Sequence, residues 1–320
     1  RKAAPLISVE AKAENIKTGS WKIPSMNLQV AGTPDSHRAQ FAMALNGVAI
    51  QGELSGAFAE GSWKGTMEKL DGRDGRGPWN LQAPARITFS SNQFQLSTLD
   101  IKSGQEERLI VSADLHLNPV SGAFQAEWQN IDLARANSWT GQGNLSGQTS
   151  GSVSAAGKKD EWQISGKSRS KGIFEYDRLR VEISSGKVDL NWDGKGLLAT
   201  AALKLNPGGT VEGKLSSVEA FQFTIPGDGK IEAHWKAIDL ALLQSFMPNH
   251  VALKGKGSGN FNGGWFAGRN FEAAGKTEIS QGQFIWKGGP KPIAINLNTA
   301  EGDFTWRGQE VEGNLAIALS

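Results

Sequence analysis

The side chains that could do chemistry in this chain are scattered rather than grouped. His37, His116, His234 and His250 stand at no metal-ligand spacing, and only His116 and His234 fall inside runs that read as strands. Asp71-Gly-Arg-Asp74-Gly-Arg-Gly77 has the Asp and Gly content of a calcium loop, but its third position is Arg and the bidentate Glu that closes such a loop is missing. It reads as a solvated turn. Glu182 and Asp189 can be imagined as a glycosidase pair, yet nothing around them marks either as the desolvated acid this chemistry requires. The absence of cysteine removes disulfides, thiolate metal sites and thiol nucleophiles together. There is no phosphate-binding loop, nucleophile elbow or dinucleotide fingerprint. The residues therefore read as a non-enzyme, with no catalytic group, no metal and no cofactor.

Basic residues sit beside aromatic ones in Trp21-Lys22, Trp63-Lys64, Trp235-Lys236 and Trp286-Lys287, as they would in a nucleic-acid channel. On a strand, however, adjacent side chains point to opposite faces, which sends Trp inward and Lys into water. The whole chain of 320 residues carries 34 basic and 32 acidic side chains, a net charge of +2 without the basic surplus of a nucleic-acid binder. Its hydrophobic share, 38%, is low for a domain that closes around one core, and its 40 glycines are about twice the usual proportion.

The elements that must position these residues are short alternating runs separated by Gly, Asn, Ser and Asp, the pattern of strands and turns. Leu179, Val181 and Ile183, then Val188, Leu190 and Trp192, then Leu197, Ala199, Ala201, Leu203 and Leu205 alternate with polar neighbours. This predicts three consecutive antiparallel strands with one apolar face, joined by Ser184-Ser185-Gly186-Lys187 and Asp193-Gly194-Lys195-Gly196 as hairpin-length turns. The text then repeats. Trp128-Gln-Asn-Ile-Asp132-Leu133 returns as Trp235-Lys-Ala-Ile-Asp239-Leu240, Gly172-Ile-Phe174 as Gly282-Gln-Phe284, and Trp192-Asp-Gly194 as Trp306-Arg-Gly308, at offsets of about 107–114 residues. The expected organisation is a diverged partial β-repeat over 1–122 and β-repeats over 123–229 and 230–320. Phe94, Leu96, Ile101, Leu109, Val111, Ala113, Leu115 and Leu117 resemble the end of a repeat within the first. Each clear repeat holds one short helical segment of two turns at most, 131–139 and 238–247, with Asp132 and Asp239 placed as N-caps. These helices are expected to plug or edge the sheet.

A sheet with one apolar face must cover it with helices, with a second sheet, by closing on itself, or with a ligand. The helices are too short and too few. The expected fold is all-β: an elongated, curled antiparallel sheet forming a groove, bent with the help of its glycines. The predicted lining is Phe174, Leu179, Val181, Ile183, Val188, Leu190, Trp192, Leu197, Leu203, Leu205, Phe284, Ile293, Ile295, Leu297, Phe304, Trp306, Leu315 and Ile317. It carries no charge and suits phospholipid acyl chains better than sugars. No apolar stretch is long enough to span a bilayer, and the chain reads as a segment of something longer, its anchor lying outside this sequence.

Ile238-Asp-Leu followed by Leu-Leu-Gln-Ser-Phe-Met-Pro-Asn-His-Val-Ala-Leu-Lys-Gly-Lys-Gly-Ser-Gly, residues 238–259, resembles the repeating core of the TamB and AsmA-like superfamily. So do the Gly-Lys and Gly-Gln-Phe strands between Phe271 and Phe284 and the closing Asp303-Phe-Thr-Trp306-Arg-Gly308. The resemblance covers 120–320 well and the front third weakly. It implies a β-taco with a hydrophobic groove, in a periplasmic protein anchored in the inner membrane, whose relatives are implicated in moving phospholipid to the outer membrane. It also implies pairing with a TamA-type outer-membrane barrel through regions absent here. The alternative it carries is a chaperone-like scaffold for assembly or secretion of outer-membrane proteins and autotransporters. The family offers no catalytic residues to carry over.

Overall fold

The computed structural model describes residues 5–18, 21–137, 144–159, 161–177, 179–221, 224, 226–265, 271–308 and 310–319. Trp139, at the end of the first expected helix, lies outside them. The fold is all-β and antiparallel, as the alternation predicts, and it divides into two units: 1–141 with 148–159, and 142–147 with 160–320.

In the first unit, β1 (Ile7–Thr18), β2 (Trp21–Thr33), β3 (Ser36–Leu45), β4 (Val48–Ala59) and β5 (Ser62–Asp74) form a meander, each paired with the next. The following strand is broken into β6 (Gly77–Leu81) and β7 (Ala85–Ser90), both lying between β5 and β8 (Gln93–Ser103). Pro84 sits in the break, where a residue without an N–H cannot continue the ladder. Then come β9 (Glu107–Leu117), β10 (Val120–Asp132) and β11 (Asn144–Lys158), whose residues from Gln148 belong to this unit.

The second unit is a meander of β12 (Glu161–Tyr176), β13 (Leu179–Asp193), β14 (Gly196–Asn206), β15 (Thr210–Ser217), β16 (Gly229–Asp239), β17 (Val251–Trp265), β18 (Glu272–Trp286), β19 (Ile293–Arg307) and β20 (Glu310–Leu319). One expectation is corrected here. Residues 184–187 are not a hairpin: β13 runs unbroken from Leu179 to Asp193, with a register shift between Ile183 and Ser185 against β14. The bulge adds one residue and reverses the alternation, so Ile183 and Gly186 fall on the same face. The second predicted turn does join β13 to β14.

Similar register shifts recur in both units, and two of them share details. β10 shifts between Trp128 and Ile131 and β16 between Trp235 and Ile238, each with a positive-φ residue inside, Asn130 at 50° and Ala237 at 52°. The bulge N–H donates to a serine hydroxyl in each case, Asn130 to Ser150 Oγ at 2.8 Å and Ala237 to Ser258 Oγ at 3.0 Å. Next, Asp132 and Asp239 accept from Ala134 N and Ala241 N, both at 2.9 Å, and cap the helical segments, which are 3₁₀ turns, Leu133–Ala136 and Leu240–Phe246.

The glycines have a second use besides turns. An added Cβ would sit 2.5 Å from Trp235 Cζ2 at Gly259, 2.6 Å from Trp63 Cζ2 at Gly56 and 2.6 Å from Phe304 Cζ at Gly275. Each ring therefore lies flat on a glycine of the neighbouring strand, an arrangement known to offset the weak strand propensity of glycine. Gly213, whose Cβ would meet nothing closer than 3.9 Å, is the control. Gly259→Val is expected to press on the Lys276 backbone oxygen as well as the Trp235 indole and to cost about 1–3 kcal/mol. Gly213→Val should be neutral or stabilising; urea midpoints and tryptophan emission of the two variants check this.

Candidate functional site

Directly paired residues of an antiparallel ladder share a face, so the register assigns each side chain to a side. In the second unit Phe174 faces Val181, Ile183 faces Leu205, Trp192 faces Leu197, and Leu190 lies between Gly166 and Ala199. A neighbouring row runs from Gly186 across Leu203, Val211 and Trp235 to Gly259, Thr277, Gly302 and Leu315. Parallel rows hold Phe304 opposite Gly275 and Gly313, Phe284 opposite Ile295, and Ile317 opposite Ala300. All eighteen predicted lining residues thus fall on one face, in two clusters: Phe174 to Leu205 on β12–β14, and Phe284 to Ile317 on β18–β20. The strands between, β15–β17, complete the floor with Val211, Leu215, Ile231, Trp235 and Phe261. Sequence reading missed these because Gly213, Gly257, Gly259 and Gly263 occupy intervening positions on the same face and interrupt the apolar text.

This face is not sealed. Among the described residues no large side chain is fully buried, and Leu197 is the only predicted lining residue in the buried class. Val188 is 42% exposed, Ile293 59%, Trp306 41%, Leu315 67% and Ile317 53%. The opposite face is polar, with Lys187 and Asp189 ion-paired at 2.6 Å. Glu182 and Asp189 are seven positions apart on one strand, about 20 Å, far beyond the spacing of a glycosidase pair.

The first unit repeats the arrangement. Leu28, Phe41, Gly52 and Leu70 form one row, and Met26, Met43, Ile50, Gly72 and Trp79 the next. Further along, Ile101, Leu109 and Trp128 share the face, as do Leu96, Ala113 and Phe124.

The 3₁₀ turns lie over these faces. In the second unit, Leu240 is 5% exposed with its Cδ2 against Gly257. Its turn packs on β17 and on β13 more than on the strands between them, so the sheet curves away beneath it. In the first unit, Arg135 reaches back to Asp74 on β5. Its Nη1 donates to both Asp74 oxygens at 2.6 and 2.5 Å, Nη2 to Glu107 Oε2 and Ser103 Oγ at 2.6 Å, and Nε to Glu107 Oε1 at 3.1 Å. Arg76 Nε adds a 2.6 Å bond to Asp132. Burial pushes the Glu107 carboxyl up, but the Arg135 guanidinium and the N–H of Asp132 together outweigh it and hold the group below the usual carboxylate range. The hydrogen bonds that Arg135 donates to Glu107 keep it charged above its ordinary range, against its own desolvation. The segment around Asp74, expected as a solvated turn, is instead built into this cluster; the Asp74 side chain is only 10% exposed because Arg135 covers it.

Two of the histidines meet tryptophans: Trp63 Nε1 donates to His37 Nε2 at 2.7 Å, and His250 meets Trp286 edge-on at 4.4 Å. Among the described residues no group of His, Asp or Glu could hold a metal ion, and no helix is long and apolar enough to cross a membrane.

Sheets whose apolar face stays open under short straps, beside a polar outer face, define the class of β-groove proteins. Residues 2–223, more than two thirds of the chain, match the family described as TamB, N-terminal domain, and the chain belongs to that family. No curated protein and no solved structure matches it. TamB-family proteins act in outer-membrane biogenesis, in a module with TamA, and face the periplasm from an inner-membrane anchor.

Proposed function

We propose that this chain is a segment of a non-enzymatic periplasmic lipid-transfer conduit, whose apolar face shields phospholipid acyl chains between the inner and outer membranes. The observation that carries this is the open apolar face within each unit, uncharged in the second and charged in the first at the Arg135 cluster. Each methylene kept from water is worth about 0.8 kcal/mol, so a sixteen-carbon chain exposed during transfer would cost about 12 kcal/mol. A half-exposed apolar floor removes most of that cost.

The test exploits the alternation on β13. A photo-crosslinking residue at Leu190 in cells should capture phospholipid, and one at Asp189, on the outer face, should not. Lipid adducts at Asp189 without adducts at Leu190 would refute the facing, and none at either position would refute the conduit. Polypeptide adducts instead would favour a scaffold for outer-membrane strands.

A further inference from the structure

The two 3₁₀ turns occupy equivalent places and open with the same residues, Ile131-Asp-Leu-Ala and Ile238-Asp-Leu-Ala, after which Arg135 stands where the other has Leu242. The scaffolds also agree: a positive-φ bulge, a serine hydroxyl on the bulge N–H, an aspartate cap. They differ in how the strap is fastened. The second lies with Leu240 on the apolar floor. The first is held by a guanidinium fork against carboxylates from two other places, Asp74 at the end of β5 and Glu107 at the start of β9, with Ser103 at the end of β8. Between β5 and β10 lie four strand steps, about 19 Å in a flat sheet, so the fork ties together parts of the groove that a flatter sheet would separate.

Beneath this strap is a cavity of about 380 Å³. Trp79, Ile101, Leu109, Trp128 and Ile131 form its apolar wall, and Arg135, Asp74 and Glu107 stand at its charged rim. We propose that the Arg135 cluster is an ion-pair latch on the first unit's groove: fastened, it restricts entry of acyl chains to the cavity, and released, it admits them. The strap of the second unit, held by the Leu240 contact and by a 2.7 Å hydrogen bond from Gln244 Nε2 to Val251 O, exchanges its apolar contacts for those of a passing chain and shows no ion pair to the sheet among the described residues. The latch rests on the lipid reading proposed above and adds regulation to it.

The experiment uses the full chain with vesicles of phosphatidylethanolamine and phosphatidylglycerol, and a photo-crosslinking residue at Leu109 in the cavity wall or at Leu190 in the second unit. The latch is removed by Arg135→Met combined with Asp74→Asn and Glu107→Gln, which leaves no buried charge unpaired. Lipid adducts at Leu109 should rise by up to about tenfold, the release of a closed state favoured ten to one, while adducts at Leu190 stay constant. Arg135→Lys keeps a charge but loses the fork, and should give a smaller rise; it decides the matter if the triple variant misfolds by hydrogen exchange. Lipid adducts at Leu190 with no change at Leu109 in the folded variants would overturn the latch alone. No lipid adduct at either position in any of the proteins would overturn the lipid reading and the latch with it.

Discussion

Arg135→Met alone should destabilise the first unit by about 3–5 kcal/mol, the usual consequence of removing one partner from a buried ion pair. The cost comes less from the lost attraction than from what remains. Asp74 and Glu107 have side chains only 10% and 17% exposed, and without the guanidinium they face each other across a low-dielectric space with its hydrogen bonds unmade and the N–H groups of Arg76 and Asp132 still donating to them. The triple variant that also neutralises both carboxylates should recover most of the loss, because no charge is then stranded. Urea unfolding of the two variants separates these contributions; equal destabilisation would show that shape, and not charge, holds the turn. The part of this stability that Glu107 supplies should be insensitive to mild acid. Glu107 titrates lower in the folded chain than in the unfolded one, so its contribution is fully present above the ordinary glutamate range. It fades only as pH falls through the depressed folded value, and between pH 8 and pH 5 the Glu107 contribution should stay constant.

Alternation made the strands and the apolar face legible because the side-chain period of a strand is two, and a run such as Leu197, Ala199, Ala201, Leu203 and Leu205 has no helical interpretation. The same rule explains the error at 184–187. A bulge and a hairpin both interrupt the period and both return the apolar residues to the original face, so Ser-Ser-Gly-Lys is equally compatible with either. Only the pairing partner separates them: Lys187 lies opposite Arg169 and Ala202, inside a continuing ladder. The floor at β15–β17 was hidden for a different reason. Its glycines are apolar positions whose volume is supplied by a ring from the adjacent strand, as Trp235 does for Gly259, and that exchange leaves no trace in one strand read alone. The latch was the least legible feature. Asp74 and Arg135 are 61 positions apart, and the bend that brings them together depends on every strand between.

Leu190→Asp is expected to abolish lipid capture at the groove while leaving the second unit folded, and this pair of outcomes distinguishes an open groove from a packed core. In a dry core, an unpaired carboxylate would be among the most damaging substitutions available. Here the flanking residues on the same face are Gly166 and Ala199, so truncating Leu190 opens little cavity, and its half-exposed position lets water reach the new charge. The stability cost should stay below about 2 kcal/mol, the lower end of what core truncations of leucine show. For an acyl chain lying along the floor the same carboxylate is a different matter, because the chain would have to exclude the water that solvates it. That penalty, several kcal/mol for a charge left without a partner, should reduce phospholipid adducts at the neighbouring Trp192 by more than about tenfold, since 1.4 kcal/mol already accounts for one factor of ten. Leu190→Ala, shorter still but uncharged, should retain capture. Loss of the folded state in Leu190→Asp, seen as a collapsed urea midpoint, would mean that this face is a core, and the groove reading of the second unit would fail with it.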